Sequence, residues 1–173
     1  MLNRVWLPAP FLQQQIASTL SDVFANNYVI GFQLRYGTQW TKKHQSDNIY
    51  LDDDAYLDTL KFINCALQIE NDYLAALAVS IKDSSTRAFK PFKWFVASDV
   101  ESQVRKLANE YPDKVVTASG KIGHAHFEAE ASMGRVVVDI ELLSRCDELI
   151  ITGGSTFGWM AAIKSLRRPY HVV

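Results

Sequence analysis

The stretch 138–158 constrains the fold of this chain more than any other. It reads Val-Asp-Ile-Glu-Leu-Leu-Ser-Arg-Cys-Asp-Glu-Leu-Ile-Ile-Thr-Gly-Gly-Ser-Thr-Phe-Gly, which predicts a helix, a short buried strand, a glycine turn and a second helix. The second helix begins at a hydroxyl pair, Ser155 and Thr156, where the first backbone N–H groups have no partner within the helix. Such a helix start is suited to an anion. It is equally the start of an ordinary helix capped by Ser155.

Strands and helices alternate along the whole chain. Hydrophobic periodicity predicts strands at 28–35, 94–98, 115–117, 148–152 and 170–173, and helices at 11–24, 53–69, 99–111, 135–146 and 156–166. The stretch 71–81 suits either a second helix or a continuation of the one before it. Alternation of this kind builds βαβ units. The sequence therefore predicts a single α/β domain over 1–173, with a Rossmann-like, doubly wound, mainly parallel sheet and helices on both faces.

Composition excludes several classes of function. The 173 residues carry a formal net charge of -1, so the chain has no general attraction for nucleic acid or anionic lipid. It contains no run of about 20 apolar residues, and its N-terminus lacks the apolar core of a signal peptide. We therefore expect no nucleic-acid partner and no direct membrane insertion by this chain, and the sequence leaves its localisation unknown. Cys65 and Cys146 are too few for a disulfide framework.

Familiar catalytic and cofactor motifs do not explain the chain. His124 and His126 have a spacing that suits metal ligation on a strand, but no third ligand is evident nearby, so we expect no metal. Neither a Gly-x-Gly-x-x-Gly motif nor a phosphate-binding P-loop is present, and we expect no cofactor. A serine hydrolase elbow would need glycine at the position of Phe157.

The polar residues at the predicted strand ends form the candidate site. In an open parallel sheet, ligands bind beyond the carboxyl ends of the strands. Arg35 follows the first strand, Ser98 and Asp99 follow the second, and 153–156 follow the fourth. An arginine and a helix start can hold phosphates, and a carboxylate can accept hydrogen bonds from a ribose or a base. Each has a simpler alternative, since Arg35 could end its strand in water and Asp99 could cap a helix.

These motifs resemble the nucleotide-binding half of fucosyltransferases of the GT-B type, which include the α1,2, xyloglucan and α1,6 enzymes. The strand 30–38, with its terminal arginine, is similar to the family's His-x-Arg motif. The stretch 139–147 follows Asp-x-x-Leu-Leu-Ser-x-x-Asp, and 155–158 reproduces Ser-Thr-Phe-Gly. Between them, 96–99 is similar to the strand end Ala-Thr/Ser-Asp. Order and spacing agree over 28–172.

The resemblance implies a role for each matching position. Arg35 would contact the β-phosphate of GDP-fucose as the catalytic residue that stabilises the departing diphosphate. Asp139 would bind the guanine side, and Asp99 would line the pocket near the base or ribose. The helix start would hold the phosphates. The positions assigned to the donor are Arg35, Asp99, Asp139, Gly154, Ser155, Thr156 and Phe157.

The activity implied is fucose transfer from GDP-fucose to a glycan hydroxyl, with inversion and without a metal. Three positions depart from the family pattern: Gln33 replaces a histidine, Tyr36 a second arginine and Thr38 an acidic residue. Glu128 and Glu130 are candidates for a general base by loop position alone. We expect the acceptor domain of such enzymes to be absent from this chain. Eukaryotic relatives work in the Golgi lumen.

Three functions therefore remain open on the sequence. The first is a fucosyltransferase, and the second is a non-catalytic GDP-sugar-binding fragment or pseudoenzyme. The third is a generic doubly wound domain with another nucleotide or with no ligand. Binding of guanine nucleotides, measured beside fucose transfer, distinguishes the three.

Overall fold

The computed structural model describes residues 8–36, 53–82, 88–120 and 129–172. Helices and strands alternate along these residues as the sequence predicts. The helices are α1 (Pro10–Thr19, continued by a π-helical turn at Leu20–Phe24), α2 (Asp53–Lys82), α3 (Glu101–Glu110), α4 (Ala129–Leu143) and α5 (Thr156–Ser165). The strands are β1 (Tyr28–Leu34), β2 (Phe92–Ser98), β3 (Val115–Val116), β4 (Glu148–Thr152) and β5 (Tyr170–Val172).

The five strands form one sheet in the order β3-β2-β1-β4-β5. Every pairing between these described strands is parallel, and Phe32 in the centre of β1 lies between Val96 of β2 and Ile150 of β4. From β1 the chain moves outward to β2 and β3 on one side, and β4 and β5 occupy the other. This arrangement confirms the predicted Rossmann-like, doubly wound fold.

Two hydrophobic layers cover the sheet. Alternate residues of each central strand point to opposite faces, so Val29 and Phe95 pack with apolar residues of α1, α4 and α5. Phe32 and Trp94 stack with a centroid distance of 5.3 Å on the other face, where α2 and α3 cover them. Among the described residues, no helix combines the length and the apolar character that crossing a bilayer requires.

The structure decides one helix boundary that the sequence left open and differs from the prediction at two others. The stretch 71–81 continues α2, which was one of the two alternatives, and α2 runs unbroken for 30 residues because no proline or glycine interrupts it. Helix α4 begins at Ala129, six residues before the predicted start at 135, since the residues before Gly134 are good helix formers. Helix α3 begins at Glu101 with Val100 as its N-cap, so the prediction that Asp99 opens this helix is wrong. The Asp99 carboxylate contacts the end of β1 instead.

Candidate functional site

A cavity of about 370 Å³ lies where the sheet reverses its winding. The connections that leave β1 and β4 run to opposite sides of the sheet, which opens a crevice at their carboxyl ends. Arg35 and Tyr36 line this cavity from the β1 side, and residues 152–157 line it from the β4 side. The structure thus brings Arg35 together with Gly154, Ser155, Thr156 and Phe157, which are 119 or more positions away in the sequence.

Thr152 joins the two sides of the cavity. Its Oγ1 accepts a hydrogen bond from the Arg35 backbone N–H at 2.9 Å and donates one to the Gln33 carbonyl at 3.0 Å. The strand pairing itself ends at Gln33 and Ile151, so the threonine side chain extends it by one residue and fixes the backbone of Arg35. Sequence reasoning treated Thr152 only as a strand end. In the sequence, the position of this hydroxyl residue directly before two glycines could have marked it as part of the site.

The glycine turn leads into the N-terminus of α5. Gly154 has φ +74, a conformation that favours glycine, and open space surrounds the position where a Cβ would stand. Ser155 is the N-cap, and its Oγ accepts a bond from the Gly158 N–H at 3.4 Å. The N–H groups of Thr156 and Phe157 therefore remain without a helical acceptor. Together with the helix dipole, they make this end of the cavity attractive to an anion.

The first turn of α5 packs directly on the sheet because residue 158 is glycine. A Cβ there would lie 2.8 Å from both the Ile151 Cβ and the Gln33 Oε1. Gln33 is 3% exposed, and its Oε1 has no hydrogen-bond partner within the part of the chain that the structure describes. Gln33, which stands where the resemblance predicts a histidine, is therefore buried against α5 and does not line the cavity.

Asp99 holds the Arg35 side of the cavity. Its Oδ2 lies 3.4 Å from Arg35 Nη1, and its Oδ1 accepts the Tyr36 backbone N–H at 3.0 Å. The side chain of Asp99 is only 5% exposed, against 35% for Arg35. Sequence reasoning predicted that Asp99 lines the pocket, but it is not among the residues that line the cavity. It contacts two residues that do.

The Tyr36 hydroxyl is held by a residue of α2. The Tyr36 hydroxyl lies 2.6 Å from Thr59 Oγ1 in α2, and Thr59 is fully buried. Burial raises the pKa of Tyr36 to about 12, so the hydroxyl stays protonated at neutral pH. Tyr36 thus contributes a neutral wall where the resemblance predicts a second arginine.

Asp139 lies in a second, buried arginine–aspartate pair. Arg135 Nε donates to Asp139 Oδ1 at 2.8 Å, and the two side chains are 4% and 7% exposed. The other nitrogens of Arg135 bind the Thr117 hydroxyl and the carbonyls of Ala118 and Gly120, which follow β3. Burial raises the pKa of Asp139 to about 6, although Arg135 opposes the rise.

Asp139 therefore does not line the cavity, and its contact with the guanine side of a donor stays a prediction. Sequence reasoning missed Arg135. The signal was its position four residues before an aspartate on the same helix, where the two side chains face each other.

A larger cavity of about 550 Å³ lies between α1 and the C-terminal ends of α4 and α5. Its buried carboxylate, Glu141, lies 2.8 Å from Lys164 Nζ and 3.8 Å from Arg145 Nη2, so it is already paired with two cations. This cavity is at the amino edge of the sheet, where ligands of doubly wound domains do not bind. His124, His126 and Glu128 lie outside the described residues, as does the side chain of Glu130.

The fold and the crevice together define a Rossmann-like, doubly wound α/β domain. No family model and no curated protein matches this chain in sequence. Solved structures similar to it include fucosyltransferases of the GT-B fold.

One of these is the NodZ α1,6-fucosyltransferase of Bradyrhizobium co-crystallised with GDP, at 18% identity and a TM-score of 0.51, covering 88% of this chain and 41% of NodZ. A variant of Arabidopsis thaliana FUT1 in complex with GDP gives 13% identity and a TM-score of 0.55, covering 96% of this chain and 33% of FUT1. POFUT1 in complex with GDP gives 11% identity and a TM-score of 0.51, covering 95% and 46%. At these identities the likeness is one of fold, and this chain spans less than half the length of each neighbour.

Proposed function

We propose that this chain is the donor-binding part of a fucosyltransferase that moves fucose from GDP-fucose to a glycan hydroxyl, with inversion and without a metal. One observation carries the proposal: the Arg35 guanidinium and the start of α5 line the same cavity, at the point where doubly wound domains bind nucleotides. The fold neighbours, which were determined with GDP, support a guanosine diphosphate as the ligand.

The proposed chemistry needs charge stabilisation above all. When the bond between the sugar and the diphosphate breaks, negative charge grows on the leaving phosphate and the anomeric carbon becomes cation-like. A guanidinium can hold two phosphate oxygens at once, and preorganised N–H groups favour the developing charge without moving. Arg35 and the N–H groups of Thr156 and Phe157 would supply both.

The remaining residues take supporting roles in this proposal. Gly154 lets the backbone turn beside the phosphates, and Ser155 fixes the start of the helix that binds them. Asp139 is buried under Arg135, so we expect its effect on the guanine side to act through residues 117–120, which Arg135 holds. The glycan acceptor belongs to the proposal by family likeness alone.

Isothermal titration calorimetry with GDP, GDP-fucose and UDP tests the proposal, beside an assay for fucose transfer and hydrolysis. We expect both guanine nucleotides to bind and UDP to bind more weakly. Arg35→Ala should weaken GDP at least about 10-fold, the loss of a charge-assisted hydrogen bond. Arg105→Ala is the matched control, since Arg105 is an exposed arginine paired within α3. Absence of guanine-nucleotide binding, or equal affinities for wild type and Arg35→Ala, would reject the proposal.

A non-catalytic GDP-sugar-binding protein is the second candidate. It is favoured by the two replaced positions, because Gln33 is buried against α5 and the Tyr36 hydroxyl binds Thr59. Neither residue offers the cavity the positive charge that the resemblance predicts there. Binding of GDP-fucose without any release of fucose, under conditions in which a known fucosyltransferase turns over, would select this candidate.

A further inference from the structure

We infer that Asp99 is a positioning residue of the donor site, which acts through Arg35 and the Tyr36 backbone and does not touch the nucleotide. This inference rests on the proposed function. It replaces the sequence-based expectation that Asp99 lines the pocket beside the base or ribose.

Both oxygens of the Asp99 carboxylate have identified partners at the end of the neighbouring strand. Oδ2 faces the Arg35 guanidinium at 3.4 Å, and Oδ1 accepts the Tyr36 N–H at 3.0 Å. At 5% exposure, the side chain has almost no surface left for a ligand. One carboxylate at the end of β2 thereby fixes both the charge and the backbone of the strand end at the cavity.

The contact leaves Arg35 suited to its proposed task. The side chain of Arg35 is 35% exposed beside Asp99 and lines the cavity, so a ligand there can reach the guanidinium fork. A long arginine side chain otherwise loses rotamer freedom when a ligand orders it, which weakens binding. Because Asp99 holds the Arg35 side chain and the Thr152 hydroxyl holds its backbone N–H, Arg35 is partly ordered before a ligand arrives.

Tyr36 completes the same support. Its backbone is tied to Asp99 and its hydroxyl to Thr59 of α2, so the residue is held at both ends. Loss of the Asp99 carboxylate would release the Arg35 side chain directly and loosen the exit of β1. We therefore expect an effect on phosphate binding that does not depend on the base.

Two probes separate positioning from direct contact: GDP, and inorganic pyrophosphate, which has neither base nor ribose. Asp99→Asn keeps an oxygen for the Tyr36 N–H but removes the charge that faces Arg35. We expect this variant to weaken both probes by the same factor, about 3- to 10-fold, in calorimetry at fixed salt. Asp99→Glu, which keeps the charge at a longer reach, should fall between wild type and Asp99→Asn. Asp113→Asn, at an exposed aspartate, should equal wild type.

A double-mutant cycle with Arg35→Ala supplies the decisive readout. If Asp99 acts through Arg35, Asp99→Asn should change GDP affinity less than about 2-fold when Arg35 is already alanine, because coupled residues are not additive. The cycle is run with Asp99→Glu as well, so that it does not depend on one variant folding.

The inference is overturned if Asp99→Asn weakens GDP but not pyrophosphate, if its loss persists in the Arg35→Ala background, or if it binds as well as or better than wild type. A wild-type protein that binds neither probe rejects the proposed function, and the role of Asp99 with it. Normal wild-type binding with a base-dependent loss in Asp99→Asn rejects the role of Asp99 alone.

Discussion

Two arginine–aspartate pairs lie on the carboxyl side of the sheet, and they are built for different purposes. Arg35 and Asp99 meet at 3.4 Å beside the cavity, where one third of the arginine side chain is exposed. Arg135 and Asp139 meet at 2.8 Å, and the other nitrogens of Arg135 donate hydrogen bonds to the segment that follows β3. The same two residue types thus border a cavity in one place and hold a segment in the other.

Burial decides between the two roles. A buried charge that loses its partner is left without solvation, so the Arg135 pair must remain closed. The Arg35 guanidinium is partly exposed, so a ligand in the cavity can reach it while it stays beside Asp99. Four predictions test this contrast.

The largest effect is expected on stability. Arg135→Ala should lower the free energy of unfolding by about 3–5 kcal/mol, because it leaves Asp139 buried without a counter-charge. Arg35→Ala, at a partly exposed pair, should cost less than about 1 kcal/mol. Urea denaturation followed by circular dichroism measures both. Equal losses in the two variants would remove the distinction between the pairs.

The pH dependence of stability should follow Asp139. Its pKa is about 6 in the folded protein, above the value of about 3.9 in an unfolded chain. The folded state therefore holds this proton more tightly, so the contribution of Asp139 is greatest below pH 4 and is lost as the pH rises to 6. We expect a fall of about 1–3 kcal/mol over this window. The difference in unfolding free energy between wild type and Asp139→Asn should shrink as the pH rises from 4 to 6. A difference that grows over this range would contradict the predicted direction of the pH dependence.

The geometry of the guanidinium should matter at the open pair. Arg35→Lys keeps the charge but loses the fork that holds two phosphate oxygens. We expect GDP affinity to fall about 5- to 10-fold, less than in Arg35→Ala, and stability to stay unchanged. Calorimetry beside thermal melting gives both values. If lysine binds GDP as well as arginine does, the site needs only a point charge.

A glycine with positive φ lies near each arginine–aspartate pair. Replacing each glycine by alanine tests whether only the Arg35 pair belongs to the phosphate site. Gly154 has φ +74 beside the cavity, and Gly120 has φ +108 under Arg135. Alanine should cost about 1 kcal/mol or more at either position because such a backbone disfavours a Cβ. Gly154→Ala should weaken the binding of inorganic pyrophosphate by about 2- to 5-fold, whereas Gly120→Ala should leave it unchanged, because residues 117–120 are assigned to the guanine side. A matching pyrophosphate loss in Gly120→Ala would connect the buried pair to the phosphate site.

The sequence was sufficient for the fold and for several residues that line the cavity. Apolar runs predicted β4 to the residue, and the rule that ligands bind beyond strand ends selected Arg35 and the glycine turn. The two aspartates were harder to place. Asp99 has the features of a helix cap, but the neighbouring strand end takes its carboxylate.

Contacts between distant parts of the chain explain the rest. Gln33 is buried because Gly158, 125 positions later in the sequence, lets α5 approach β1. No local pattern around Gln33 carries that information. The pair of Arg135 and Asp139 differs from Gln33 in this respect. Its spacing of four residues is visible in the sequence, but the burial of the two side chains is not.

The most direct test of the central claim is an amide ¹H–¹⁵N NMR titration of the wild-type chain with GDP. The account predicts that the largest shifts occur at Arg35 and at residues 153–157, with small shifts at Asp139 and at the Glu141 cavity. Shifts that cluster around Arg135 and Asp139 or around Glu141, with Arg35 and the start of α5 unchanged, would contradict it.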